Sequence, residues 1–313
     1  MNKEIVIIMG YNAAGKSTLV QEFVNKGYLR SNRDILGGSL DDQAIYIDRT
    51  IRDNGFSKIV LDNTYPSVKS RASIIKVAKS NKLPIRCIHL TTSLEDAQLN
   101  ACLRMIRKLG RLLQPEDFKK VNDPNLFPPA ALFHYRKEFQ KPTKAEGFDS
   151  VEEVPFTRVW GPDYINKALI LDYDGTLRLS KGEQKYPINI SDIEILPNRT
   201  DKLKQYENDG YLLLGASNQS GIAKGFVTNQ QVIDCFESTN SQLNVKIDYQ
   251  FCSHRIPPVS CYCRKPHVGM GAWFIEKYKL RPSECIMIGD MTTDKTFAER
   301  CGFKFIHANE FFK

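Results

Sequence analysis

Two aspartates separated by one residue, Asp172 and Asp174, close the apolar run Ala168–Leu171 and are followed by Gly175 and Thr176. Such a run reads as a buried strand that delivers carboxylates at its carboxyl end, where open α/β sheets bind ligands. Strand side chains two apart share a face, so the pair can divide the work: one carboxylate as a nucleophile beside a metal, the other as proton donor and acceptor. An Asp-Gly turn after an ordinary strand is the bland alternative. A second phosphate chemistry stands near the start. Residues 10–18, GYNAAGKST, satisfy G-x-x-x-x-G-K-[ST] between the strand-like run Glu4–Met9 and the helical stretch TLVQEFVNKGY. In that setting Gly10, Asn12, Gly15 and Thr18 belong to a cradle for nucleotide phosphates, Lys16 reaches the β and γ oxygens, and Ser17 binds Mg²⁺.

Three more groups of residues carry chemistry. Asp34 follows the turn at Gly27-Tyr28-Leu29 and is placed either to take the proton of an attacking hydroxyl or to cap the next helix. Asp62 ends the run Lys58–Leu61 and is placed to hold a metal's water shell or to cap a turn. The loop FCSHRIPPVSCYCRKP holds Cys252, His254, Cys261 and Cys263. Three thiolates and one imidazole complete a tetrahedral set, so a structural zinc is expected, with Pro257-Pro258 stiffening the reversal that joins the two pairs.

DYDGTL resembles the signature of the haloacid dehalogenase superfamily of phosphatases. That resemblance implies phosphorylation of Asp172 during turnover and acid/base work by Asp174. It also implies Ser217, with Asn218 on the substrate side, in YLLLGASNQSGI, Lys265 in CRKPHVGM, and Asp290 with Asp294 in CIMIGDMTTD. Mg²⁺ is implied on Asp172, Asp174, Asp290 and Asp294. The cysteine loop resembles the zinc loop of the histidinol-phosphate and heptose-bisphosphate phosphatases, down to the CRKP that follows it.

GYNAAGKST, GYLRSNRDILG, IVLDNTYPSVKSRA and HYRKEFQKPTKAEGFDSVEEVPF resemble the kinase domain of the polynucleotide kinase 3′-phosphatase family, across residues 1 to about 157. This implies transfer of the γ-phosphate of ATP to a 5′-hydroxyl end, with Asp34 as base and Arg33, Asp62, Asn63 and Arg71 beside the acceptor. One position departs. Where the family places two arginines on a lid helix, this chain has Ala101-Cys102-Leu103-Arg104, so the charge role passes to Arg104, Arg107 or Arg111. The resemblances together imply a bifunctional processor of nucleic-acid ends, using ATP, Mg²⁺ and structural Zn²⁺ and working beside a ligase. The competing expectation is a kinase and phosphatase of small metabolites.

These residues need a scaffold. The expected fold class is α/β in two domains, residues 1–157 as a P-loop kinase and 158–313 as a haloacid dehalogenase-like domain, each with a parallel sheet. The turn-rich stretch PFTRVWGPDYINK places the join near residues 157–165. The second half reads as helix 199–209, strand 211–216 ending before Ser217, helix 228–243, helix 268–279, strand 285–288 and strand 303–306. With 313 residues and 42% hydrophobic content, the chain can bury two cores. Residues 1–160 hold 25 Lys and Arg against 18 Asp and Glu, and residues 161–313 hold 19 against 18, so +7 of the +8 net charge lies in the first half and suits a polyanionic partner. The apolar runs are too short to span a bilayer, and the N-terminus reads as a strand, not a signal peptide. Eight cysteines in a chain of this size point to packing and metal binding in a reducing compartment, cytoplasmic or nuclear, and argue against a secreted disulfide scaffold.

Overall fold

EIVIIM and ALIL, two runs without a charged residue beyond the first position, each form the middle strand of a five-stranded parallel sheet. The computed structural model describes residues 3–255 and 261–313. The chain divides into two units, Met1–Ala101 with Asn122–Arg158, and Cys102–Val121 with Val159–Lys313.

In the first unit the strands are β1 (Glu4–Met9), β2 (Leu29–Ser31), β3 (Lys58–Leu61), β4 (Ile85–Leu90) and β5 (Ser150–Val154), in the order β2-β3-β1-β4-β5. Alternation along β1 loads both faces of the sheet. Ile5, Ile7 and Met9 pack with Ile47, Ile74 and Cys87, while Val6 and Ile8 pack with Val20, Phe23 and Ile88. The helices of this unit are α1 (Lys16–Asn25), the single turn α2 (Arg33–Leu36), α3 (Leu40–Asn54), α4 (Val68–Ser80) and α6 (Pro129–Glu138), and α5 (Leu94–Leu109) begins here and ends in the second unit.

The second unit repeats the plan with β6 (Ala168–Leu171), β9 (Leu212–Asn218), β10 (Asp248–Cys252), β11 (Ile286–Gly289) and β12 (Lys304–His307), in the order β10-β9-β6-β11-β12. A small antiparallel pair, β7 (Arg178–Ser180) and β8 (Ile193–Ile195), follows β6 directly. Its helices are α7 (Arg199–Asn208), α8 (Asn229–Leu243), α9 (Gly269–Tyr278), α10 (Thr292–Cys301) and α11 (Ala308–Phe311). All eight cysteines are buried free thiols.

Two expectations shift. β9 does not stop before Ser217, because β10 pairs with it as far as Cys252 opposite Asn218 and so extends the ladder through both residues. The segment Cys102–Val121 groups with the second unit. There Arg107 pairs with Glu276 at 2.9 Å and with the Tyr164 hydroxyl at 2.9 Å, and the Phe118 ring meets the Tyr262 ring edge-on.

In the first unit, Arg71 is fully buried. It pairs through Nε and Nη2 with both oxygens of Glu146 at 2.7 and 2.8 Å and donates to the Tyr65 carbonyl at 3.0 Å. Removing one partner of such a pair leaves an uncompensated buried charge. Glu146→Ala should therefore destabilise the first unit by about 3 kcal/mol, read as a lower urea midpoint, and Glu146→Gln should cost less.

Candidate active sites

β6 ends at Leu171, and the next residue, Asp172, donates its backbone N–H to the Ile288 carbonyl of β11. The carboxylate emerges between the ends of β9 and β11. Lys265 Nζ meets Asp172 Oδ1 at 2.9 Å and Asp294 Oδ1 at 2.7 Å, with the ammonium only 2% exposed. Burial pushes the Asp172 carboxyl up to about 7, Lys265 pulling it down and Asp294 and Asp174 adding to the rise. Burial works to lower the Lys265 ammonium, but the charges of Asp172 and Asp294 more than reverse this and hold it above its ordinary value.

Asp172, Asp290 and Asp294 each place a carboxylate oxygen within 4.8 Å of the others. Asp290 Oδ1 is buried with no hydrogen-bond partner among the described residues. An orphaned anionic oxygen in an acidic cluster fits a divalent cation. Gly175 makes room for it: φ is +85°, and a Cβ there would collide with Asp290 Oδ2.

Asp174 turns to other partners. Arg178 Nε donates to its Oδ1 at 2.9 Å and Gln219 Nε2 to its Oδ2 at 2.8 Å. Ser217 Oγ accepts from the same Gln219 amide at 2.9 Å. Asn218 contacts the lysine that reaches Asp172. Its Nδ2 donates to the Lys265 carbonyl at 3.0 Å and its Oδ1 accepts from the Lys265 N–H at 2.9 Å, so both amide atoms hold the lysine's main chain. Gln219 and Arg178 were not legible as site residues, since neither spacing nor periodicity marks them.

At the end of β10 and in the residues after it, the four expected zinc ligands converge. Cys252 Sγ lies 3.7 Å from Cys261 Sγ and 3.4 Å from His254 Nδ1, which is 3.2 Å from Cys263 Sγ. Tetrahedral zinc with Zn–S bonds of about 2.3 Å sets sulfur atoms about 3.8 Å apart, so the donor set fits that metal. Pro257-Pro258 lies outside the described residues.

In the first unit the phosphate loop leaves β1 at Gly10. Gly15 sits in the left-handed region with φ +96° at the start of α1. Lys16 Nζ donates to the Gly10 and Tyr11 carbonyls at 3.0 and 2.5 Å, while Ser17 and Thr18 are exposed and Asn12 is half-buried. Two further residues brace the loop from behind, Asn100 through the Ala13 carbonyl at 2.8 Å and Thr92 through the Ala14 carbonyl at 2.9 Å. Nothing in their sequence surroundings announces this.

Asp34 is exposed at the second position of α2, and the cap is Asn32, whose Oδ1 accepts from the Asp34 N–H at 2.7 Å. Arg33 is also exposed. The other expected acceptor residues make contacts within the protein. Asp62 is buried and pairs with Arg30 at 2.6 Å and Asn32 at 2.9 Å. Asn63 accepts from the Arg33 N–H at 3.1 Å and donates to Gln43 and the Tyr65 hydroxyl at 2.8 and 2.9 Å. Arg71 is fully buried on Glu146. In this structure the polar atoms of Asp62, Asn63 and Arg71 meet other protein groups, and Asn63 holds the turn that carries Arg33 and Asp34. Of the lid arginines, Arg107 is held by Glu276 and Arg111 by Asp117 at 2.5 Å, Arg104 is half-buried, and Cys102 is a core residue.

The sequence profile of the family described as "Polynucleotide kinase 3 phosphatase" matches residues 167–312. The matched residues lie in the second unit and make up a little under half of the chain. The chain also aligns with curated relatives. The "Bifunctional polynucleotide phosphatase/kinase" of Schizosaccharomyces pombe is 36% identical over 156 residues, covering 50% of this chain and 34% of the relative, so the chain spans about a third of that protein's length. The "D-glycero-beta-D-manno-heptose-1,7-bisphosphate 7-phosphatase" of Haemophilus ducreyi is 34% identical over 148 residues, covering 44% of this chain and 80% of the relative. Among solved structures, the "Structure of Pnkp1/Rnl/Hen1 complex" is similar over 98% of this chain and 96% of its own at 15% identity and a TM-score of 0.34.

The sulfur geometry of the polynucleotide kinase 3 phosphatase region yields a direct expectation. Reduced, purified protein should carry about one zinc per chain, and Cys261→Ser should lose it, as read by elemental analysis. Protein that is folded, reduced and zinc-free would refute the assignment.

Proposed function

We propose that this chain is a bifunctional enzyme of nucleic-acid ends, an ATP-dependent 5′-hydroxyl kinase in residues 1–157 and a 3′-phosphatase in residues 158–313. The observation that carries the proposal is the buried Asp172–Lys265–Asp294 group at the carboxyl end of one parallel sheet, in a chain whose other sheet ends in a phosphate loop. A polynucleotide substrate is supported by the family matched at residues 167–312 and by the net +7 of residues 1–160. A ligase acting on the repaired ends is the partner this chemistry calls for.

In the phosphatase step, an Asp172 oxygen attacks phosphorus and the bond to the leaving 3′-oxygen breaks, giving an aspartyl-phosphate. Asp174 gives its proton to the leaving oxygen and then takes one from the water that hydrolyses the intermediate. Lys265 and the Ser217 hydroxyl meet the phosphoryl oxygens, where negative charge builds. Asp172, the Asp174 carbonyl, Asp290 and Asp294 would hold Mg²⁺, which supplies charge neutralisation at the phosphoryl group. In the kinase step, Asp34 takes the proton of the 5′-hydroxyl and Lys16 holds the phosphate oxygens of ATP. Arg33 steers the acceptor, and Ser17 would hold the kinase Mg²⁺.

A small-metabolite phosphatase is the second reading, favoured by the Haemophilus ducreyi relative, of which this chain covers 80%. Incubating the protein with ATP and Mg²⁺ and either 5′-hydroxyl, 3′-phosphate oligonucleotides or sugar bisphosphates separates the two. Turnover of the sugar phosphates alone would replace the first reading with the second.

Two expectations follow from the chemistry. Asp172→Asn should remove phosphatase activity by several orders of magnitude and spare the kinase, and Lys16→Ala should do the reverse; a single variant that lost both activities while folded would contradict two independent centres. Mg²⁺ binding at the phosphatase centre should also depend on pH. Because burial raises the Asp172 carboxyl to about 7, below that pH a proton competes with the cation. Affinity for Mg²⁺ should then fall by up to about tenfold per pH unit, measured by titration calorimetry at either side of neutrality; Asp172→Asn should flatten the dependence.

A further inference from the structure

Asp174 is gripped on both oxygens. Arg178 takes Oδ1 and Gln219 takes Oδ2, and neither partner can follow the carboxylate if it turns. The buried Arg178 guanidinium also bonds the Cys235 carbonyl at 2.5 Å and Thr239 Oγ1 at 2.8 Å, and it lies over the rings of Tyr173 and Phe236 at 5.2 and 5.0 Å. Gln219 is equally fixed. Its backbone N–H donates to the Cys252 carbonyl at 2.7 Å, and its side chain is buried.

An amide nitrogen has two hydrogens, and Gln219 Nε2 spends one on Asp174 Oδ2 and the other on Ser217 Oγ. The direction of the second bond matters. Since Ser217 Oγ accepts from Gln219, its own proton remains available to donate elsewhere, and the elsewhere is the phosphoryl side.

We propose that Gln219 and Arg178 are positioning residues for the phosphatase step: Gln219 orients at once the carboxylate that moves the proton and the hydroxyl that meets the phosphoryl group, and Arg178 is the fixed opposing jaw. The proposal rests on Asp174 as the proton-transfer group. In the step served, the P–O bond to the leaving oxygen breaks as the bond to an Asp172 oxygen forms, and the Asp174 proton ends on the leaving oxygen. In the return step, water oxygen bonds to phosphorus, its proton goes to Asp174, and the bond from Asp172 to phosphorus breaks. A carboxyl group released from its jaws delivers that proton poorly, and the loss falls on esters whose leaving oxygen needs it.

The test compares leaving groups. For each variant, kcat/KM is measured on a 3′-phosphorylated oligonucleotide or simple alkyl phosphate, whose alkoxide must be protonated, and on p-nitrophenyl phosphate, whose phenolate need not be. This constant reports phosphoryl transfer to Asp172, so the hydrolytic return does not blur it. Gln219→Leu and Arg178→Met should each lower the alkyl value by about a hundredfold and leave the aryl value little changed, with Arg178→Lys partly restoring it. In an Asp174→Asn background neither should lower the alkyl value further. A variant that lowers both substrates alike, with zinc content and circular dichroism unchanged, would overturn the positioning role. If Arg178→Met does not fold, Gln219→Leu decides. Should Asp174→Asn itself lower both substrates alike, the reading of Asp174 fails; if Asp174→Asn discriminates and the jaw variants do not, the jaws alone are refuted.

Discussion

An ammonium held between two buried carboxylates governs the second unit. Lys265 meets Asp172 at 2.9 Å and Asp294 at 2.7 Å where water is nearly absent. Charges so placed are tolerable only when paired and anchored, since the desolvation cost of an unpaired one is several kcal/mol or more. The surrounding structure supplies the anchoring. β6 and β11 fix Asp172 through a backbone bond to Ile288, α10 carries Asp294, and Asn218 holds the main chain of Lys265 by a two-point amide contact. With Asp290 added, three carboxylates gather about one ammonium, and the surplus negative charge suits a cation.

The first unit solves its phosphate problem with backbone. Gly15 takes a left-handed conformation in a loop whose Ala13 and Ala14 carbonyls are tied to Asn100 and Thr92. The neighbouring turn is shaped by a network of Asp62, Asn32, Asn63, Gln43 and Tyr65, whose polar atoms serve one another and leave Arg33 and Asp34 at the surface. In both units the reactive side chains sit at the carboxyl ends of parallel strands, yet the residues that aim them come from elsewhere in the chain.

This division explains what could be read from residues alone. Buried parallel strands are continuous apolar runs, so β1, β3 and β6 were legible with their bounds, as were the phosphate loop, the aspartate pair and the four clustered sulfur and nitrogen donors. Polar residues near a motif carry no label saying which way they face. Asp62, Asn63, Arg71 and Asn218 sit in or beside the motifs, but the partners they meet in the fold are distant in sequence: Arg30, Gln43, Glu146 and Lys265. Arg178 and Gln219 were missed for the same reason, since a buried pairing across a fold leaves no periodic trace. The length of β9 was misjudged because a strand ends where its neighbour stops pairing, and β10 pairs as far as Asn218.

β10 lies at the edge of its sheet, and its last residue is Cys252, one of the clustered donors. An open edge of unpaired N–H and C=O groups is a template for another chain, and proteins protect such edges by shortening, twisting or covering them. Here the strand is only five residues long and runs at its end into a knot of sulfur and imidazole. A bound metal would pin that end against fraying, and removing it would lengthen the exposed template. A metal at these donors would thereby guard a sheet edge as well as fold a loop.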